Sequence, residues 1–221
     1  VGKASGITAS FRSGGATATC SGRWRANMRS LASRYASKLP CLSRWSSLRF
    51  SIADASARII RRFDASGRQR NLIGDQGKAK TFMLPNGKLD MTVDAAGVVR
   101  ATDTGRHQVT AWALDGAPVG RFGRFGMRDP ADFVGCCNPI NLATTPDGKV
   151  VTAEKVAACV KVFEPDGRLL AVIGAEHFDP MCTQIHLAVD SQGRILAADP
   201  VRRRIQVFSP AAPGGTREEP R

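Results

Sequence analysis

No Asp or Glu occurs before Asp54, although nine Lys or Arg residues lie in the first 50 positions of this 221-residue chain. At the chain's own acid content, an acid-free stretch of that length arises by chance in about one per cent of cases. Beyond residue 50 the chain carries 23 basic against 19 acidic residues. The net charge of +13 is therefore mostly a property of the N-terminal segment and says little about the rest. A Ser- and Arg-rich, acid-poor start fits a targeting-like segment, a non-native or disordered start, a solvated tail or a basic nucleic-acid arm. The apolar core of a secretory signal, about 7–15 residues, is missing from it.

Other absences narrow the class. No apolar run reaches the roughly 18–20 residues that cross a bilayer as a helix. Six cysteines are too few for a miniprotein held by disulfides. No Cys-x2–4-Cys pair recurs, which argues against a zinc finger. The 22 glycines have no period of three, which excludes a collagen-like chain. Helical periodicity sustained over three turns appears nowhere after residue 51. With 43% hydrophobic residues the chain can still build a sizeable core, and that core must be made of strands.

A repeat supplies them. The acids Asp54, Asp103, Glu154 and Asp199 are spaced 49, 51 and 45 residues apart. Six residues after each stands Ile60, Val109, Val160 or Ile205, and nine after stands Phe63, Trp112, Phe163 or Phe208. Gly67, Gly116 and Gly167 follow at thirteen, and Gly74, Gly123 and Gly174 at twenty. Within one unit, Leu89–Val93, Val98–Thr102, Gln108–Ala113 and Val119–Phe122 read as strands broken by glycine-containing turns. Four short strands per unit of this length make one blade of a β-propeller.

The run Leu187-Ala188-Val189-Asp190 through Gly193, Ile195, Ala198-Asp199 and Ile205-Gln206-Val207-Phe208 resembles an NHL repeat. The units Phe82 to Gly123 and Asn138 to Gly174 fit the same pattern, with Glu154-Lys155 in place of the usual Asp at the turn. The resemblance covers roughly residues 51–209, in four units of which the first is incomplete. It implies an all-β fold, a β-propeller of NHL type with four recognisable blades belonging to a six-bladed ring. The expected organisation is a basic segment over 1–50, propeller blades over 51–209 and a disordered tail over 210–221.

Ligands usually meet a propeller at the mouth of its central channel, so the start of each inner strand is the place to look for chemistry. Thirteen residues before the repeat acids stand Asp90, Asn141 and His186, with Cys41 in the incomplete first blade. Each alternates with apolar neighbours, which puts the polar set on the face opposite the packing set. The ring is expected to bind a ligand at the channel mouth or to satisfy backbone at the rim. Its position also resembles the one that holds calcium or zinc in gluconolactonase-like propellers, so a divalent metal is one cofactor to test.

Cys137 and Cys182 both lie seventeen residues before a repeat acid, and Cys136 adjoins the first. Equal phase would bring Cys136, Cys137, Cys182 and His186 to one rim as metal ligands, or join two thiols as a disulfide, or leave them as unpaired structural thiols. Gly105-Arg106-His107, His177 and Arg202-Arg203-Arg204 read as solvated turns and connections. No acid, base and nucleophile set is assembled, and aromatics for stacking bases are scarce. A binding or scaffold module for a protein or small-molecule ligand therefore leads. The alternatives are a metal-dependent, lactonase-like hydrolase and an RNA-binding NHL propeller. Export or a periplasmic location is suggested by bacterial relatives of this type.

Overall fold

The computed structural model describes residues 7–13, 16–22, 49–64, 66–76, 79–80, 82–155 and 158–210. Cys41 and residues 211–221 lie outside them. Four antiparallel sheets follow one another along the chain. The first contains β1 (Ile7–Ser13), β2 (Ala16–Gly22), β3 (Arg49–Asp54), β4 (Ile59–Phe63) and β5 (Gln69–Ile73), in the order β2-β1-β3-β4-β5. A two-stranded ladder, β6 (Asp75–Gln76) and β7 (Ala79–Lys80), leads out of it. The second blade is β8 (Met91–Val93), β9 (Val99–Asp103), β10 (Gln108–Trp112) and β11 (Pro118–Phe122). The third is β12 (Asn141–Thr144), β13 (Val150–Glu154), β14 (Cys159–Phe163) and β15 (Leu169–Ile173). The fourth has three strands, β16 (His186–Val189), β17 (Ile195–Asp199) and β18 (Arg204–Phe208). Among the described residues the only helical turn is the short 3-10 segment Ala175–His177.

Local rules recur blade by blade. In the first three blades the ladder between the third and fourth repeat strands slips by one residue just before the aromatic, at Arg62/Phe63, Ala111/Trp112 and Val162/Phe163. A bulge at constant phase sharpens the twist where the large ring must turn inward. Arg58, His107 and Arg203, each four residues after a repeat acid, have φ of 59°, 56° and 52°. The same tight turn thus closes three of the blades. Gly123 has φ +95°, and a Cβ there would stand 2.4 Å from the Phe133 ring. Gly167 has φ +99°, and its Cβ would lie 2.4 Å from Cβ of Phe122. Both positions need glycine for its backbone freedom and for its lack of a side chain.

The core lies between blades. Ile60, Ile73, Phe82, Met91 and Trp112 pack where the first blade meets the second. Val109, Phe133, Val150 and Phe163 fill the next seam. Val151, Val160, Phe178, Cys182 and Ile185 fill the one after. The inner strands β1, β8, β12 and β16 succeed one another as neighbours.

The first blade departs from the expected layout. Its inner strand is β1, which pairs antiparallel with β3 from Ile7↔Asp54 to Arg12↔Arg49. Residues 7–13 and 16–22 share a sheet with β3, β4 and β5, their backbone groups extending its ladder.

Candidate channel-mouth site

The repeat acids hold the blades in place. Asp103 accepts a hydrogen bond from Met83 N–H (2.8 Å), Glu154 from Val134 N–H (2.7 Å) and Asp199 from Asp179 N–H (2.9 Å). Each donor lies 20 residues before its acceptor. Each acid thus ties down the connection arriving from the previous blade, satisfying a backbone donor that would otherwise be orphaned. Glu154 does the work of the Asp it replaces, so its departure from the pattern is structural.

Charge compensation takes two forms. In the first and third blades the cation comes seven residues after the acid, as Arg61 on Asp54 (3.2 Å) and Lys161 on Glu154 (2.6 Å). In the second and fourth it comes three residues after, as Arg106 on Asp103 (2.6 Å) and Arg202 at 3.9 Å from Asp199. The Glu154–Lys161 pair is buried, with side chains 1% and 6% exposed. Lys161 also donates to the Asp132 carbonyl and lies 5.6 Å from the centre of the Phe133 ring. Lys161, in an otherwise apolar strand, was not singled out from sequence. Its alternation between Val160 and Val162 was the available signal.

On this frame two of the three expected residues, Asp90 and Asn141, meet. Asp90 is buried, and its carboxylate bridges two blades. Oδ2 accepts from Asn141 Nδ2 (3.1 Å) and Leu142 N–H (3.0 Å), while Oδ1 accepts from Met91 N–H (3.0 Å). Burial pushes the Asp90 carboxyl above its ordinary range, against the pull of these donors and of the nearby His186 imidazole. Asn141 Oδ1 is buried and makes no hydrogen bond. His186, exposed at the start of β16, pairs through its backbone with Ala198. Burial and the charge of Lys155 lower the Lys88 ammonium pKa, while Asp90 works the other way.

By register, Thr8↔Ala53 takes the place of Asn141↔Ala153 and His186↔Ala198. The fourth ring position therefore falls to Thr8, where Cys41 was expected. No repeat signal marks Thr8, because β1 starts 42 residues before β3 in sequence order (Ile7 against Arg49).

Among the described residues no three His, Cys, Asp or Glu side chains gather to hold a metal ion. Cys136, Cys137, Cys159 and Cys182 are free thiols. Cys136 and Cys137 approach each other, with Sγ atoms 2.9 Å apart. Cys182 is packed in the seam between third and fourth blades and donates to the Gln184 carbonyl (3.6 Å). Equal phase gave Cys137 and Cys182 equivalent buried places, but each thiol is occupied by its own connection. Burial and the adjoining Glu154 push the Cys159 thiol up to about 12, so it is inert at neutral pH.

The remaining candidates are mostly engaged locally. His107 packs on Phe125, with ring centres 5.1 Å apart, and its buried Nδ1 has no partner. The His177 carbonyl collects Arg202, Arg204 and Gln206 as donors. That convergence uses much of the basic hairpin within the protein itself.

No family model and no curated protein matches the chain. Solved structures do. A streptogramin B lyase aligns over 73% of this chain and 48% of its own, at 13% identity and a TM-score of 0.53. A virginiamycin B lyase from Staphylococcus aureus aligns over 75% of this chain and 53% of its own, at 13% identity and a TM-score of 0.50. The chain thus spans about half the length of the solved proteins it matches. At such identity the likeness speaks for architecture alone, and together with the four successive antiparallel sheets it makes the fold a β-propeller.

Proposed function

We propose that the chain is a binding module, a set of NHL-type propeller blades that takes a polar ligand or a segment of a partner protein at the channel mouth. One observation carries the reading. Asp90 and Asn141 are locked together across two blades, and Asn141 Oδ1 is left buried without a donor. A buried acceptor in that state costs free energy until something donates to it. A ligand N–H or O–H placed between Asn141 and the exposed His186 would supply that donor. Lys88 and Lys155 add positive charge nearby, which favours a ligand with an anionic or carbonyl group beside its donor.

The metal-dependent hydrolase suits these residues poorly. A divalent cation needs free carboxylate oxygens, and both oxygens of Asp90 are already turned toward protein donors. Burial further favours the neutral acid at Asp90.

Protein-observed NMR titration with sugars, sugar acids, amino acids and short acidic peptides tests the reading. Ligands that bind should shift the amide signals of Met91, Leu142 and Leu187, and should lose affinity in Asn141→Ala. Binding that maps elsewhere and survives Asn141→Ala would refute it.

A further inference from the structure

The connection from β11 to β12 contains a bend whose chemistry the mouth does not use. In Gly135-Cys136-Cys137-Asn138, Gly135 has φ +75° and Cys137 has φ +62°. Left-handed backbone on both sides of Cys136 turns the two side chains toward each other, with Sγ atoms 2.9 Å apart. Asn138, fully buried, holds the bend from behind. Its Nδ2 donates to the Val134 carbonyl (2.5 Å), and its Oδ1 accepts from Lys155 N–H (3.1 Å). The arrangement exists before any bond forms, so little further ordering is needed to close one. Cys136 is exposed to solvent and Cys137 is buried.

We propose that Cys136 and Cys137 form a reversible vicinal dithiol–disulfide pair, oxidised by low-molecular-weight disulfides. The exposed Cys136 thiolate attacks one sulfur of the oxidant RS–SR, breaking its S–S bond and releasing RS−, which takes up a proton. The Cys137 thiol then gives up its proton and its sulfur attacks Cys136 Sγ. The mixed disulfide breaks and the second RS− leaves. In sum, two thiol hydrogens are lost, one Cys136–Cys137 bond is made and one RS–SR becomes two RSH.

The order of attack follows from access. Burial and the neighbouring Cys136 sulfur raise the Cys137 thiol pKa, so it resolves the mixed disulfide and does not start the exchange. Adjacency also sets the character of the bond. Consecutive Cα atoms stand about 3.8 Å apart, closer than the roughly 4.4–6.8 Å span of ordinary disulfides. Strain of that kind makes a disulfide easily reduced, as a reversible site requires and a structural one does not.

Trypsin releases residues 129–149 as a single peptide holding Cys136 and Cys137 and no other cysteine. The whole chain is equilibrated in glutathione buffers from reducing to oxidising, quenched with acid, alkylated, digested and weighed. The expected peptide from the oxidised sample lacks two hydrogens and carries no alkyl group. Treatment with dithiothreitol before alkylation should return two alkyl groups. Cys137→Ser should trap glutathione on Cys136, whereas Cys136→Ser should take up none at Cys137. Full alkylation of both thiols across the oxidising range would overturn the proposal. So would a stable glutathione adduct on Cys136 of the unmodified chain, or a bond from either thiol to a different cysteine.

Discussion

The third and fourth blades carry the same repeat and meet different fates. Val160 in β14 is fully buried, whereas its counterpart Ile205 in β18 is 65% exposed. Phe163 is buried, while Phe208 is only half-buried. The third blade is flanked on both sides, by the second through Phe133 and Phe163 and by the fourth through Phe178 and Ile185. The fourth meets a described blade on one side only. Repeat sequence therefore assigns a side chain to a face, and the neighbouring blade decides whether that face leaves water. The hydrophobic stabilisation sits in the seams, because it scales with apolar area removed from solvent.

The largest expected effect comes from the aromatics. Phe163→Ala should destabilise the protein by about 3–5 kcal/mol in denaturant unfolding. Phe208→Ala should cost clearly less, since part of that ring is already hydrated. Equal losses at the two positions would break the comparison.

The buried ion pair comes next. Glu154→Gln leaves Lys161 unpaired in the core and should cost about 3–5 kcal/mol. Arg61→Ala removes the partly exposed partner of Asp54 and should cost about 0–1 kcal/mol. The same pair of measurements separates a buried charge from a solvated one of identical repeat phase.

The acids Asp90 and Asp199 should give opposite pH slopes. Burial raises the folded pKa of Asp90 above its unfolded value of about 3.9, so the native state binds the extra proton between the two. Its contribution to stability should fall as pH rises through that window. For Asp199, burial is outweighed by N–H bonds from Arg202, Asp179 and Val201 and by the Arg202 charge, and the folded pKa is lowered. Its contribution should be present above the unfolded value and lost as pH falls toward the folded one. Unfolding of Asp90→Asn and Asp199→Asn followed from pH 3 to pH 7, roughly the range where carboxylates titrate, should show differences from the parent protein of opposite slope.

The smallest effect is expected at the open face. Ile205→Ser should change stability by no more than about 0.5 kcal/mol, as surface positions do. A loss comparable to that of Val160→Ala would mean that something covers β18 in solution.

The meeting of Asp90 with Asn141 was legible from phase alone, since both share one offset from the repeat acids. Its chemistry was not. That Asp90 is saturated by Met91, Leu142 and Asn141 depends on how close two blades stand, and no spacing within one blade reports that. Cys137 and Cys182 show the opposite failure. Their equal offset led to the expectation of one shared rim, and both are buried, but proximity depends on where each thiol turns, and Cys182 turns to Gln184.

Strands, turns and their fourfold recurrence were set by sequence, because alternation, glycine turns and a spaced acid are local or nearly local chemistry. The 20-residue link from each acid to the incoming connection was also latent in that spacing, though it became visible only as hydrogen bonds. Tertiary structure alone decided the inner strand of the first blade. Residues 7–13 match no repeat, yet their backbone groups pair with β3, since any extended segment can fill a ladder. It alone decided, too, that Ile205 stays in water while Val160 does not, because burial belongs to a pair of surfaces and a repeat supplies one of them.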